Sequence, residues 1–222
     1  MELEKYLNLI KPEVEKIFGG DQTGHDVSHL ERTLKAALHI QQYEGGNKLV
    51  VGIAAYLHDV HRIIKPLKGD YASPKDSLPT IENILNKTDL DTDTKNKILE
   101  CVEFHECYNW SDPENKRRSL EVHILQDADN LDAIGAMGII RAFNYGLIKN
   151  IPMYDANEPL VYDINYIEDH DTKESVIHYF YNKLFRLGKN MNTKTGKRLA
   201  NKRIKFMENF VKQFIAEHES KF

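Results

Sequence analysis

Apolar residues recur along this chain at intervals of three and four, and sustained two-residue alternation is hard to find, so the pattern predicts helices rather than strands. Leu3, Leu7, Ile10, Val14, Ile17 and Phe18 form the stripe of a first helix, which Gly19-Gly20 stops. A second stripe covers 27–43 and ends at Gly45-Gly46. The run 49–57 is denser, apolar on most faces, and delivers His58-Asp59 at its end. Pro66, Gly69 and Pro74 mark 60–76 as a loop. A short helix is expected over 78–90, then one from an Asp93 cap to Tyr108, followed by a loop over 109–115. The stretch 120–148 is the most apolar and is expected to be the central element, broken near Gly135 or Gly138.

Pro152 and Pro159 lie in 151–170, which reads as a long irregular connection of the kind that often carries function. Asp171 or Thr172, with Glu174 or Ser175 three residues on, resembles a capping box opening a helix to about Met191. The last helix is expected over 195–217, with Leu199, Ile204, Met207, Phe210, Val211 and Phe214 on one face. The expected class is all-α.

Length and composition narrow this picture. A chain of 222 residues fits one compact domain over 1–222, with a core at about 20–150 and C-terminal helices at about 171–220 packed on it. A net charge of -4 argues against a general nucleic-acid binder, while leaving room for a small phosphorylated substrate. The basic run Lys194, Lys197, Arg198, Lys202, Arg203 and Lys205 lacks interleaved aromatics and reads as a solvated helix face. Tyr154, Tyr162, Tyr166, Tyr179 and Tyr181 serve either as a base-stacking wall or, more commonly, as packing.

Cys101 and Cys107 share one predicted helix, six residues and therefore about 9 Å apart, too far for an easy disulfide. Their scarcity suits a reducing compartment. The first ten residues lack the apolar core of a signal peptide, and 133–140 is far shorter than a bilayer span, so a cytoplasmic protein with no membrane partner is expected.

Metal-competent side chains gather in four places: Gly24-His25-Asp26-Val27-Ser28-His29; His58-Asp59 with His61-Arg62; His105; and Asp127-Ala128-Asp129-Asn130-Leu131-Asp132. Imidazole and carboxylate without thiolate suit a borderline or hard divalent ion such as Mn²⁺, Fe²⁺, Co²⁺, Ni²⁺ or Mg²⁺. His58 and Asp59 point about 100° apart on a regular helix, so both reach one ion only if it sits in the angle between them and neighbouring helices complete the set. Acidic residues near a helix N-terminus are commonplace. Here Leu125, Ala128, Leu131 and Ile134 embed the carboxylates in an apolar helix, where they need a partner.

Taken in order, His29, His58-Asp59 and Asp129 match the H…HD…D signature of the HD superfamily. The blocks "GHDVSHLERT", "AAYLHDV", "LQDADNLDAIGAMGIIRAF" and "YNKLFRLGKNMNTKTGKRLA" resemble its stand-alone bacterial and archaeal hydrolases, from about Gly24 to the C-terminal helix. The resemblance implies an all-α helical bundle and one divalent ion held by His29, His58, Asp59 and Asp129, with Asp127 the competing fourth ligand. It implies a phosphohydrolase acting on a small phosphorylated substrate. The leading expectation is cleavage of a nucleoside triphosphate to monophosphate and pyrophosphate. The alternatives are phosphomonoester hydrolysis and a sensor that binds without turnover.

His61-Arg62 stands where related branches carry an acidic residue. Beyond His61, only His105 and His123 lie between the HD pair and the last aspartate, which points to one metal rather than two. Arg32, His61 and Lys65 are the expected phosphate-facing groups, with Lys183 and Arg141 taken from the resembling blocks. Asp132 is expected to meet substrate, and Asp26 to orient His29 or to act with Asp59 and His61 in the proton chemistry. His25 is read as structural, and a homodimer is compatible with all of this.

Overall fold

The computed structural model describes residues 2–18, 26–64, 72–163 and 174–220. Among these residues every regular element is helical, so the chain adopts the all-α class. In order they are α1 (Glu2–Phe18), α2 (Val27–Glu44), α3 (Lys48–Leu57), a 3₁₀ turn (His58–Arg62), α4 (Pro74–Leu85) and α5 (Thr92–Phe104). A second 3₁₀ turn (Pro113–Arg117) leads to α6 (Leu120–Asp132), α7 (Gly135–Ile148), α8 (Val176–Tyr179), a π turn (Phe180–Leu184), α9 (Phe185–Lys189) and α10 (Lys194–His218).

The chain divides into two compact units, Met1–Asp129 with Asn192–Gly196, and Asn130–Met191 with Lys197–Phe222. The first is built round α3, in which every residue from Val50 to Leu57 is buried. A helix apolar on all sides has to be enclosed, and α1, α2 and α5 pack against it. The centre of this unit is therefore α3 rather than the 120–148 stretch. Asn47 starts α3 by accepting from the amides of Leu49 and Val50 at 2.9 and 3.3 Å.

Local hydrogen bonding moves several helix ends from their expected places. Pro74 lies inside the first turn of α4, not in a loop, because the Asp76 carboxylate accepts from the Ser73 amide and hydroxyl at 2.8 and 2.9 Å. The helix ends at Leu85, whose carbonyl accepts from the Thr88 hydroxyl at 2.6 Å. The cap of α5 is Asp91, which accepts from the Thr94 amide at 2.9 Å; Asp93 is already helical. This helix stops at Phe104, four residues before the expected Tyr108.

In the second unit the expected break of the 120–148 stretch falls at Gly135, whose φ of +80° is the left-handed region open to glycine. Phe143 gathers Phe180, Phe210 and Phe214, with ring centroids 6.0, 6.0 and 5.9 Å away. Ser175 caps α8, accepting from the His178 amide at 3.3 Å; Asp171 and Thr172 lie outside the described residues. Lys194, Lys197, Arg198, Lys202 and Lys205 are exposed along α10, as a solvated face requires. Among the described residues no single helix is long and apolar enough to cross a membrane.

Candidate metal centre

Three elements of the first unit bring buried imidazoles and carboxylates together. Asp26 fixes the start of α2, its Oδ1 accepting from the His29 amide at 2.9 Å and the Ser28 hydroxyl at 2.7 Å. Burial pushes the Asp26 carboxyl up, but these donors and Arg32 outweigh it and hold the acid below its ordinary value. Arg32, one turn on, donates to the Ser28 hydroxyl at 2.7 Å. His29 is thereby held in the first helical turn with its side chain fully buried.

The 3₁₀ turn after α3 carries His58, Asp59 and His61, all buried. Three residues per turn place positions i and i+3 on one side, so His58 and His61 share a face. Each imidazole is tied to a main-chain carbonyl through Nδ1: His58 donates to Ala55 at 2.9 Å, and His61 to His58 at 3.1 Å. His105, just beyond α5, donates to Val102 at 2.7 Å in the same way. A carbonyl can only accept, so Nδ1 holds the proton and Nε2 turns a lone pair inward.

Asp129 on α6 completes the cluster. His29 Nε2 lies 3.2 Å from His58 Nε2, 3.2 Å from Asp59 Oδ2 and 3.4 Å from Asp129 Oδ1. His58 Nε2 lies 3.6 Å from both Asp59 Oδ1 and Asp129 Oδ1. Lone pairs and carboxylate oxygens facing one another at this range repel unless a cation or proton lies among them. Neighbouring ligands bound at about 2.1 Å to a six-coordinate ion stand about 3 Å apart, so the donor set fits a divalent metal.

Burial pulls the His58 imidazole pKa down, but the Asp59 and Asp129 carboxylates outweigh it and raise it overall. For Asp129 burial pushes upward, yet hydrogen bonding and charge from His29 and His58 hold the acid well below its ordinary range. Burial depresses His105 to about 4, which keeps it neutral at pH 7.

Asp127, the competing fourth ligand, is committed elsewhere. Its carboxylate accepts from the Asn192 and Thr193 amides at 2.7 and 2.8 Å, the Thr193 hydroxyl at 2.7 Å and the Asn192 side-chain amide at 3.1 Å. A Cβ on Gly196 would stand 2.2 Å from Asp127 Oδ2, so that carboxylate fills the space a side chain would need.

The remaining candidates fall differently. His61 is buried beside His105 and Glu106 rather than standing at a surface. In the second unit, Asp132 and Arg141 pair with each other at 2.8 Å, both largely buried, and Lys183 is half-buried in the π turn. His25 and Lys65 lie outside the described residues. Among the tyrosines, Tyr154 packs on Phe214 and His218, and Tyr181 on Phe185.

Sequence reasoning gave no role to Arg62 and Glu106, which form an ion pair beside Asp59. Burial pushes the Glu106 carboxyl up, but Arg62 and the two neighbouring imidazoles hold it far below its ordinary value. The available signal was Glu106 directly following His105.

An all-α scaffold that converges two imidazoles and two carboxylates on one point defines a helical metalloprotein. The HD domain family model matches residues 26–134. A crystallised protein of Lactobacillus plantarum is 31% identical, with a TM-score of 0.77 over 98% of this chain and 99% of its own. An HD-superfamily hydrolase of Bacillus thuringiensis is 29% identical, with a TM-score of 0.74 over the whole of both chains. Bacillus subtilis YpgQ, crystallised in complex with ADP, is 25% identical, with a TM-score of 0.71 over 98% of this chain and 97% of its own. The chain belongs to the HD-domain family and is a metal-dependent phosphohydrolase of that superfamily.

Proposed function

We propose that His29, His58, Asp59 and Asp129 hold a divalent cation, and that the centre hydrolyses a nucleoside triphosphate to the monophosphate and pyrophosphate. The observation that carries the metal assignment is the approach of the two Nε2 atoms to 3.2 Å, with both carboxylates facing them. The ADP held by YpgQ, similar along almost its entire length, supports a nucleotide as the substrate. When bound, the ion supplies Lewis-acid polarisation of a phosphoryl oxygen and a more acidic water.

The chain's own residues supply the rest. The carbonyls of Ala55 and Val102 fix the His58 and His105 rings and their tautomers. Asp26 sets the first turn of α2 and so orients His29. Arg32, on the next turn of that helix, offers its guanidinium to phosphate oxygens, with Lys65. Asp132, Arg141 and Lys183 of the second unit are the further substrate contacts in this reading. We also take 1–222 to act as one HD-type domain, since α6 runs unbroken through the boundary and 192–196 returns to the first unit. Two separate unfolding transitions would refute that last point.

Purified protein with Mn²⁺ is to be offered NTPs, dNTPs, NMPs and cyclic dinucleotides. Pyrophosphate release from triphosphates is the expected result. Orthophosphate from NMPs would replace the reading with a phosphomonoesterase, and tight binding without products with a sensor. If Asp59→Ala left both metal content and activity unchanged, the metal assignment would be wrong.

A further inference from the structure

The second unit holds a cleft of about 450 Å³, and none of the residues around it belongs to the metal centre. Two helical stripes make its main walls. Tyr181, Phe185, Arg186 and Lys189 follow one another at spacings of about one turn along the π turn and α9. Glu208, Val211, Lys212 and Ile215 do the same along α10. Facing helical stripes ordinarily interdigitate until few voids larger than a water remain. Here Phe185 and Val211 are buried, Lys189, Glu208 and Lys212 are exposed, and the space between them stays open. The π turn that carries Tyr181 is a winding met often at functional sites.

A third wall comes from the irregular connection after α7. The Asp163 amide donates to Asn182 Oδ1 at 2.7 Å, and Arg186 donates to the Asp163 carbonyl at 3.5 Å, which pins this stretch to the π turn and α9. Tyr162 is thereby held at the cleft, 51% exposed, with the Arg186 guanidinium 5.4 Å from its ring centroid. Tyr181 and Phe185 meet edge to face with centroids 5.2 Å apart. Three aromatic rings and three cations, Arg186, Lys189 and Lys212, thus line one cleft against a single carboxylate, Glu208. In a chain of net charge -4, that local surplus of positive charge draws an anion. Ring faces on the same cleft call for a flat π system attached to it.

We propose that this cleft is a binding site for a nucleoside phosphate, with the base against Tyr162 and Tyr181 and the phosphates on Lys189 and Lys212. Its volume falls within the roughly 300–1,000 Å³ of small-molecule sites and exceeds what inorganic phosphate or a lone ring fills. Glu208 is left to accept from a sugar hydroxyl or an exocyclic amine. Because the walls lie wholly in the second unit, binding needs neither a metal ion nor turnover, and it does not rest on the reaction proposed above. A nucleotide held here without being cleaved is a ligand of the protein rather than its substrate. Two of the tyrosines that the sequence left between stacking and packing, Tyr162 and Tyr181, then serve in stacking.

The test is binding without metal. Full-length protein is stripped with a chelator and titrated into N-methylanthraniloyl-ATP, whose fluorescence anisotropy reports the complex. Saturable binding is expected, competed by ATP, competed far less by adenosine or inorganic phosphate, and weakened by added salt. Lys212→Glu and Tyr162→Ala change exposed side chains, so both should fold with the wild-type Tm, and each should weaken binding about tenfold or more. Asp59→Ala and Arg32→Ala should leave it unchanged. No saturable binding overturns the proposal, as does binding that Asp59→Ala abolishes while Lys212→Glu and Tyr162→Ala leave it intact. Inorganic phosphate competing as well as ATP overturns it too. Metal content and pyrophosphate release are read separately, so the cleft and the metal centre can each fail alone.

Discussion

Replacing Asp127 with alanine separates a structural carboxylate from a metal ligand. The side chain is fully buried and accepts four hydrogen bonds from Asn192 and Thr193, two of them from main-chain amides. Truncation leaves those amides without an acceptor. Each buried orphan costs roughly 1–3 kcal/mol, so the two together set a loss of about 2–6 kcal/mol, and non-additivity among neighbours favours the middle of that range. At roughly 2–4 °C per kcal/mol for a chain of this size, about 3–5 kcal/mol lowers Tm by about 6–20 °C.

Thermal unfolding by circular dichroism reads the loss, and metal analysis of the folded fraction reads the ligand set. The expected result is a large fall in Tm with metal content per folded chain unchanged. Gly196→Ala should do the same by a different route, because its Cβ would press to 2.2 Å from Asp127 Oδ2 and 2.9 Å from Thr193 Oγ1. An Asp127→Ala protein with unaltered Tm and no bound metal would refute the reasoning and transfer the fourth ligand from Asp129 to Asp127.

Three further outcomes follow from the same contacts. Asp26→Asn keeps a good N-cap, so Tm and activity should hold, whereas Asp26→Ala should cost about 0.5–2 kcal/mol; a large loss of kcat in the Asn variant would make Asp26 the base instead. Because the folded Asp26 pKa is lowered, its contribution is present above the ordinary value and fades as pH falls through the folded one. That acid slope should shrink in Asp26→Asn when unfolding is followed by denaturant at stepped pH. Mn²⁺ at a hundred times its Kd should stabilise the protein by about 2.7 kcal/mol. Asp59→Ala should abolish the resulting rise in Tm, and a shift that survived would place the ion elsewhere.

Helix existence was legible in the chain because a 3.6-residue apolar period needs only the identity of each side chain. Helix ends were less so, since they depend on which of several adjacent polar residues reaches the free amides. Ser73 and Asp91 win over residues two or more positions later because their side chains or carbonyls meet the first-turn donors in extended backbone. The same limit applies to the site. His29, His58, Asp59 and Asp129 could be picked out by order and type, but whether Asp127 or Asp129 faces the imidazoles depends on what lies opposite each carboxylate on α6. Asn192 and Thr193, more than sixty positions away in the chain, answer that for Asp127.

His61 illustrates the deeper reason. Read on an ideal α-helix, it stands about 60° round from His58 and passes for a group beside the ion, free to meet phosphate. The 3₁₀ winding of 58–62 removes that offset and buries it under His58. A few tens of degrees of local twist thus decide whether one imidazole reaches substrate or turns to His105 and Glu106. Side-chain type and spacing do not carry that rotation; it is set by the way α3, α4 and α5 pack around the turn.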